Sequence, residues 1–457
     1  MTSLFQNLPL PGLGAADLAR LPSAVPPRDG VPSRGDAATD PDSGTGGRAV
    51  RSAADAEALL VGLNPQQREA VLHHGGPLLI VAGAGSGKTR VLAHRIAYLL
   101  ATGRAHPGEI LAITFTNKAA AEMRERVAAL VGPSARRMWV STFHSACVRI
   151  LRREAATLGI RSSFSIYDSA DSQRLLTMVG RELDLDAKKY PPKAMAAKIS
   201  ALKDELVDPE TFAATASSDS SSFEAVLAQV YTRYQARLRQ AHALDFDDLI
   251  MTTVHLLQAF PAVAEHYRRR FRHVLVDEYQ DTNHAQYTLV RELAGVGARR
   301  RAKGEDTPDD QSIYAFRGAT IRNILEFEAD YPDARTILLE QNYRSTQNIL
   351  SAANAVISRN SGRKPKRLWT DSGAGAQIVA YVADNEHEEA RFVAEEIDRL
   401  GDSAGVRPGD VAVFYRANAQ SRALEEVLIR VGLPYKVVGG TRFYERREIK
   451  DAVAYLR

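Results

Sequence analysis

The run LLIVAGAGSGKT, Leu78–Thr89, passes from an apolar stretch into a Gly-rich turn and then into a helical pattern. Gly83, Gly85 and Gly87 allow the tight backbone that aims successive N–H groups at a phosphate, and Ala82, Ala84 and Ser86 complete the loop. A helix N-terminus adds partial positive charge, Lys88 has the reach for β- and γ-phosphates, and the Thr89 hydroxyl suits Mg²⁺. The strict pattern opens with Gly; this chain carries the small Ala82 there. A second run, HVLVDEYQDTN (His273–Asn283), ends a short apolar stretch in Asp277 and Glu278. A strand ending there delivers both carboxylates to the carboxyl edge of a sheet, where ligands of such folds bind. Asp277 suits Mg²⁺ coordination, and Glu278 suits the base that orients an attacking water. Alone, a Gly-rich turn can bind nothing and an acid pair can be a solvated turn. Together in one α/β unit they specify a nucleoside triphosphate site.

The elements that must hold these residues alternate. Apolar runs at Leu78–Ala82 and Ile110–Thr114 are strands, and Thr116–Leu130 is an amphipathic helix with Met123, Val127 and Leu130 on one face. Such alternation predicts a parallel sheet covered on both faces. Strand-like sequence returns at Val274–Val276 after a helical insertion without clear strands. A second α/β region starts near Thr336, with strands at Ile378–Val382, Val411–Tyr415 and Tyr435–Val438 and helices at Glu386–Leu400 and Ala419–Val431. The expected domains are 56–144 with 245–335, the insertion 145–244, and an incomplete second domain 336–457. Residues 1–55, rich in Pro, Gly, Ala, Ser and Asp, read as a disordered tail. The 457-residue chain is long enough for two or three cores, and 45% hydrophobic with 25% charged residues is ordinary for a globular protein. No apolar run has the length of a membrane span, and no secretory signal opens the chain. The one cysteine, Cys147, excludes an intramolecular disulfide, fits a cytoplasmic setting, and reads as core beside Val148 and Leu151. A net charge of +4 is compatible with a polyanion and does not by itself specify one.

With these motifs in place the chain resembles the UvrD/PcrA/Rep group of superfamily 1 DNA helicases, from about Leu63 to Arg457 in the family's order. LNPQQREAV (Leu63–Val71) resembles the adenine-reading element and points to Gln67; AGAGSGKTR adds Arg90 beside the phosphate loop. ITFTNKAAAEMRERV (Ile113–Val127) and VSTFHSACVRIL (Val140–Leu151) resemble single-strand-binding motifs, which implies Phe115, Thr116, Asn117 and His144 near DNA. DEYQDTN makes Gln280 a polar neighbour of ATP. QSIYAFRGA (Gln311–Ala319) implies Gln311 at the γ-phosphate and water, Phe316 stacked on a base, and Arg317 near the phosphate. LEQNYRST (Leu339–Thr346) implies Tyr343 on adenine and Arg344 as an arginine finger. The fold so implied is a P-loop NTPase with a RecA-like parallel sheet, a helical insertion and a partial second RecA-like domain. The activity implied is an ATP- and Mg²⁺-dependent 3′ to 5′ DNA helicase or translocase in repair or replication. Its implied partners are single-stranded DNA, duplex/single-strand junctions and DNA repair proteins, with the chain a monomer or weak dimer. The arginine would belong to the second α/β unit and reach ATP on closure of the cleft. Phe115 alone reads as a core aromatic, and only its place within TFTNKAA points it to DNA; Tyr343 has the same ambiguity, and His144 also reads as a structural histidine.

Two stretches depart from the family. Where relatives carry an apolar strand before QSIY, between the strands of the phosphate loop and the acid pair, this chain has GARRRAKGEDTPDD (Gly297–Asp310). Three arginines and Pro308 do not suit a buried strand. The stretch reads as a basic DNA-contacting loop, a solvated insertion, or a segment read out of frame. The chain also stops at Arg457 inside an amphipathic helix, Glu445–Arg457, so a fragment is expected. Besides a helicase, the sequence admits an inactive nucleotide- or DNA-binding remnant, a helicase–nuclease subunit, or an interaction module that docks a repair partner.

Overall fold

The computed structural model describes residues 53–216, 222–295, 327, 329–359 and 366–438. Gly297–Asp310, Gln311, Phe316, Arg317, the helix expected at Glu445–Arg457 and residues 1–52 of the tail lie outside them. The order begins α1 (Ala53–Ala58), α2 (Pro65–Leu72), β1 (Leu78–Ala82), α3 (Lys88–Ala101), β2 (Ile110–Thr114), α4 (Asn117–Val131), β3 (Trp139–Thr142) and α5 (Phe143–Arg153). The insertion then supplies β4 (Ser165–Tyr167), α6 (Ser169–Glu182), α7 (Pro192–Asp204), α8 (Pro209–Thr215), α9 (Phe223–Gln240) and β5 (Ala243–Asp245). Then come α10 (Phe246–Ala259), α11 (Pro261–Arg270), β6 (His273–Val276), α12 (His284–Ala294), β7 (Arg335–Leu339) and α13 (Gln347–Ile357). Chain contacts group residues 1–375 as one compact unit and 376–457 as another.

Strand β2 is buried at all five positions because helices cover both faces of its sheet. Side chains alternate along a strand, so Leu111 and Ile113 meet Phe143, Cys147, Leu249 and Leu289 on one face. On the other, Ile110 and Ala112 meet Ile96, Met123 and Val127 of α3 and α4. Local chemistry sets the helix starts. Thr116 caps α4, Thr142 caps α5, and Asn283 caps α12 in a reciprocal box with Gln286.

All these strands run parallel, but the described residues form three sheets, β3-β2-β6 and β1-β7 around the site and β4-β5 in the insertion. Arg335 N donates to Pro77 O and Gly83 N donates to Leu339 O, so the odd-numbered residues of β1 bond β7. The main-chain groups of Leu78 and Ile80 therefore point away from β7. Asp277 N donates to Ile113 O, which leaves those of Val274 and Val276 pointing away from β2. A cavity of about 620 Å³ is bounded by β1 and β6, by Leu92 and Leu99 of α3, and by Val290 and Leu293 of α12.

Two readings of the sequence need revision. The insertion holds a short parallel pair, Ser165–Tyr167 with Ala243–Asp245; three residues a side are too few to show a strand period. Strand β7 pairs with β1, so chain contacts group it with residues 1–375, which leaves the expected domain division as it stands. The strands expected at 378–382, 411–415 and 435–438 do not form among the described residues of the second unit. A strand needs a ladder partner, and none is supplied there. Val382 and Phe414 are 94% and 93% exposed, while α14 (Glu386–Ala404) packs Ala390, Ala394 and Ile397 against Val427 and Leu428 of α15 (Ser421–Val431).

Cys147 is wholly buried, and burial pushes its thiol up to about 12. Native protein should therefore show no labelling by a thiol reagent, and denatured protein one thiol per chain. Fast labelling under native conditions would contradict this packing.

Candidate nucleotide site and nucleic-acid surface

The phosphate loop leaves β1 at Ala82 and enters α3 at Lys88. Gly85 and Gly87 have φ of +76° and +86°, so the loop needs glycine at both. Ser86 is buried and its Oγ donates to Gly83 O at 2.7 Å, bracing the turn from inside. Ala84 and Arg90 are exposed on the outside. Gln67 is buried against the loop: its Nε2 donates to Ser86 O at 2.9 Å and its Oε1 accepts from Asn64 N at 3.2 Å. It holds the loop through the same amide that the resemblance assigned to adenine.

Lys88 and the acid pair come together. Lys88 Nζ donates to Glu278 Oε2 at 2.6 Å, and Gln280 Nε2 donates to the same oxygen at 2.6 Å. Glu278 sits at φ +51°, a left-handed backbone that costs a non-glycine residue on the order of 1 kcal/mol or more. Asp277 is buried beside it; burial first, then the neighbouring Glu278, pushes its carboxyl up, and Lys88 partly offsets both. Thr89 follows on the first turn of α3, half-buried.

The segment after β7 docks on the loop. Tyr343 N donates to Gly85 O at 2.9 Å, and the buried Asn342 donates through Nδ2 to Ala84 O. Asn342 Oδ1 accepts from Arg344 N at 2.8 Å and Ser345 N at 2.7 Å, which fixes the turn carrying Arg344. A Cβ built on Gly85 would lie 2.7 Å from Arg344 Cβ, so the arginine's stem already rests on the loop. Tyr343 is half exposed; its hydroxyl accepts from Asn64 Nδ2 at 2.9 Å and donates to Gln341 Oε1 at 2.9 Å. Asn64 and Asn342 were missed from the sequence, because each acts through a contact far away along the chain.

Parallel register puts the residues expected to meet DNA on the edge that holds the acid pair. Thr114 pairs with Thr142, and Ile113 with Val276, so Phe115, His144 and Asp277 all follow strand ends on one side of the sheet. Phe115 is half-buried edge-to-face on Phe143, at 5.6 Å between centroids. Thr116 and Asn117 are exposed at the start of α4. His144 is partly buried, and burial lowers its pKa, which leaves the ring uncharged at neutral pH. Its neighbour was not foreseen: Phe246, 46% exposed, meets His144 edge-to-face at 5.5 Å. The sequence signal was an aromatic placed directly after the capping Asp245, at the first position of its helix.

A Gly-rich loop between a parallel strand and a helix, with an acid pair reaching its lysine, defines the P-loop nucleoside triphosphatase class. The UvrD/REP helicase N-terminal domain matches residues 63–332, and the UvrD-like helicase C-terminal domain matches residues 337–457. This chain belongs to the UvrD/REP helicase family. It is 67% identical over 412 residues to the ATP-dependent DNA helicase UvrD1 of Mycobacterium tuberculosis, covering 88% of this chain and 53% of that one. The ATP-dependent DNA helicase PcrA of Bacillus subtilis is 53% identical over 399 residues, covering 87% and 53%. The chain thus spans about half the length of the curated relatives it matches. Among the described residues, no helix is long and apolar enough to cross a membrane.

Asn342→Ala removes the bond to Ala84 and two acceptor contacts, leaving main-chain groups unpaired at ~1–3 kcal/mol each. Chemical denaturation should show a loss of about 2 kcal/mol or more, with nucleotide affinity reduced. An unchanged midpoint and affinity would show that the segment does not brace the loop.

Proposed function

We propose that this chain binds and hydrolyses ATP with Mg²⁺ and uses the cycle to move along single-stranded DNA, 3′ to 5′, in DNA repair or replication. The observation that carries the reading is the shared oxygen of Glu278, held at 2.6 Å by Lys88 and at 2.6 Å by Gln280. In this arrangement Lys88 is poised to exchange a carboxylate for a phosphate. A phosphate that takes the ammonium releases Glu278, whose carboxylate then orients the attacking water, with Gln280 fixing its direction. The Thr89 hydroxyl and the Asp277 carboxylate are hard oxygen donors that fit Mg²⁺, which when bound neutralises charge on the phosphate oxygens. Arg344, its stem on Gly85, is placed to stabilise charge developing on the transferred group. Tyr343, with an exposed ring and an anchored hydroxyl, offers a face to a base. By resemblance, Gln311 and Arg317 add γ-phosphate contacts and Phe316 a stacking ring.

Exposed Thr116, Asn117 and Phe246, with the partly buried His144 against Phe246, offer hydroxyl, amide and aromatic groups without a base-reading pattern. Aromatic faces accept any base, which suits movement along a strand independent of sequence. Duplex/single-strand junctions and repair proteins are the partners this reading implies, with the chain a monomer or weak dimer in the cytoplasm.

Lys88→Ala should lower ATP turnover by about 10²–10³-fold, the scale of losing one preorganised charge contact, with single-strand binding retained. A steady-state ATPase assay beside fluorescence anisotropy on an oligo-dT decides it; turnover at the wild-type level removes the phosphate-loop assignment. Because the Asp277 carboxyl is pushed up, it takes a proton at higher pH than an exposed aspartate. Mg²⁺-dependent turnover should therefore fall on acidification before an ordinary carboxylate would titrate, and Asp277→Asn should be inactive across the range. A wild-type acid limb in the ordinary carboxylate range would count against Asp277 as the metal ligand.

A further inference from the structure

The helical insertion grips the rest of the first unit at a point that the chemistry above leaves unused. Lys203 on the last turn of α7 is fully buried, with Nζ 2.6 Å from Asp245 Oδ2 and 2.8 Å from Asp248 Oδ1. A buried ammonium persists only with such partners. Tyr234 Oη donates to Asp245 at 2.9 Å and Gln235 Nε2 donates to Asp248 at 2.8 Å, so α9 is tied into the same cluster. Asp245 caps α10, and the first residue of that helix is Phe246, whose ring meets His144. The next residue along α7 turns elsewhere. Asp204 Oδ1 accepts from Asn283 Nδ2 at 2.6 Å. Asn283 caps α12 and ends the loop that begins at Asp277 and Glu278. Two consecutive residues at one helix end thus hold the base of the aromatic pair and the far end of the acidic loop.

We propose that Lys203 and Asp204 are positioning residues that transmit single-strand binding at Phe246 and His144 to the acidic loop. The inference rests on the ATP- and DNA-dependent reading given above. A base stacked on Phe246 loads the first turn of α10, and Asp245 passes that load to Lys203. The end of α7 is rigid over two residues, so Asp204 moves with Lys203 and resets Asn283. The physical path is three contacts long: the edge-to-face pair of His144 and Phe246, the buried ion pair of Asp245 and Lys203, and the hydrogen bond of Asn283 to Asp204. Burial first, then Asp247 and Glu205, pushes the Asp204 carboxyl up to about 8. Asparagine, which keeps the acceptor oxygen and carries no charge, is the nearest mimic of its protonated form.

The test measures ATP turnover of the whole chain with and without an oligo-dT, together with oligo-dT affinity by anisotropy. Asp204→Ala should leave unstimulated turnover and oligo-dT affinity within about twofold while cutting stimulation by about tenfold, the scale of a typical coupling between sites. Asp204→Asn, which keeps the acceptor oxygen, should retain stimulation. Asn283→Ala removes the same bond from the other side and should lose as much, with the double variant no worse than either single one. The proposal is overturned if Asp204→Ala keeps full stimulation, or if stimulated and unstimulated turnover fall in equal proportion. A wild-type chain without DNA-stimulated turnover would remove the proposed function itself, and the coupling with it.

Discussion

Parallel pairing sends the carboxyl ends of all strands in a sheet to one edge, and the chemistry of this protein depends on that constraint. Asp277, Phe115 and His144 come from stretches of sequence with no local relation to one another. They become neighbours because β6, β2 and β3 pair in parallel with their ends in step. The same constraint, applied to β1 and β7, delivers Tyr343 and Arg344 to the phosphate loop. Side chains then refine what pairing has assembled: Asn342 stitches the two chain segments together, and Gln67 braces the loop from behind.

Charge is arranged around this edge with little left unbalanced. Lys88 is the positive centre of the loop, and Glu278 and Asp277 are the negative groups opposite it. Bringing two carboxylates side by side at a sheet edge raises the cost of ionising both. The buried Asp277 bears most of that cost, and Glu278 is relieved by Lys88 and Gln280. The Lys203 cluster follows the same logic deeper in the fold, where two carboxylates share one ammonium and two neutral donors.

The sequence made the local features legible and hid those that depend on distant pairing. Apolar runs located β1, β2 and β6, and Gly-Lys-Thr and Asp-Glu located the two halves of the site, because each signal lies within a few residues. Cys147 read as core for the same reason. Asn342 carried no such signal, since its partner Ala84 is 258 residues away. Lys203 carried no signal either, because nothing nearby announces Asp245 and Asp248 as its partners. The apolar segments at 378–382 and 411–415 have strand-like composition, yet composition does not supply the neighbouring strand that a ladder requires. Gly297–Asp310 was legible only as a misfit: its charge and proline do not suit a buried strand.

The distance between Ala84 and Asn342 also sets a clock. A ribosome adding ~5–20 residues per second needs on the order of 13–50 s to make the 258 residues between them. Throughout that interval β1 waits for β7, its partner among the described residues. The three-stranded sheet meets its last strand earlier, at β6, and the insertion closes its own core before that. Synthesis therefore completes the three-stranded sheet before the phosphate loop gains its bond to Asn342. During that time Leu78–Ala82 is an apolar strand still awaiting β7.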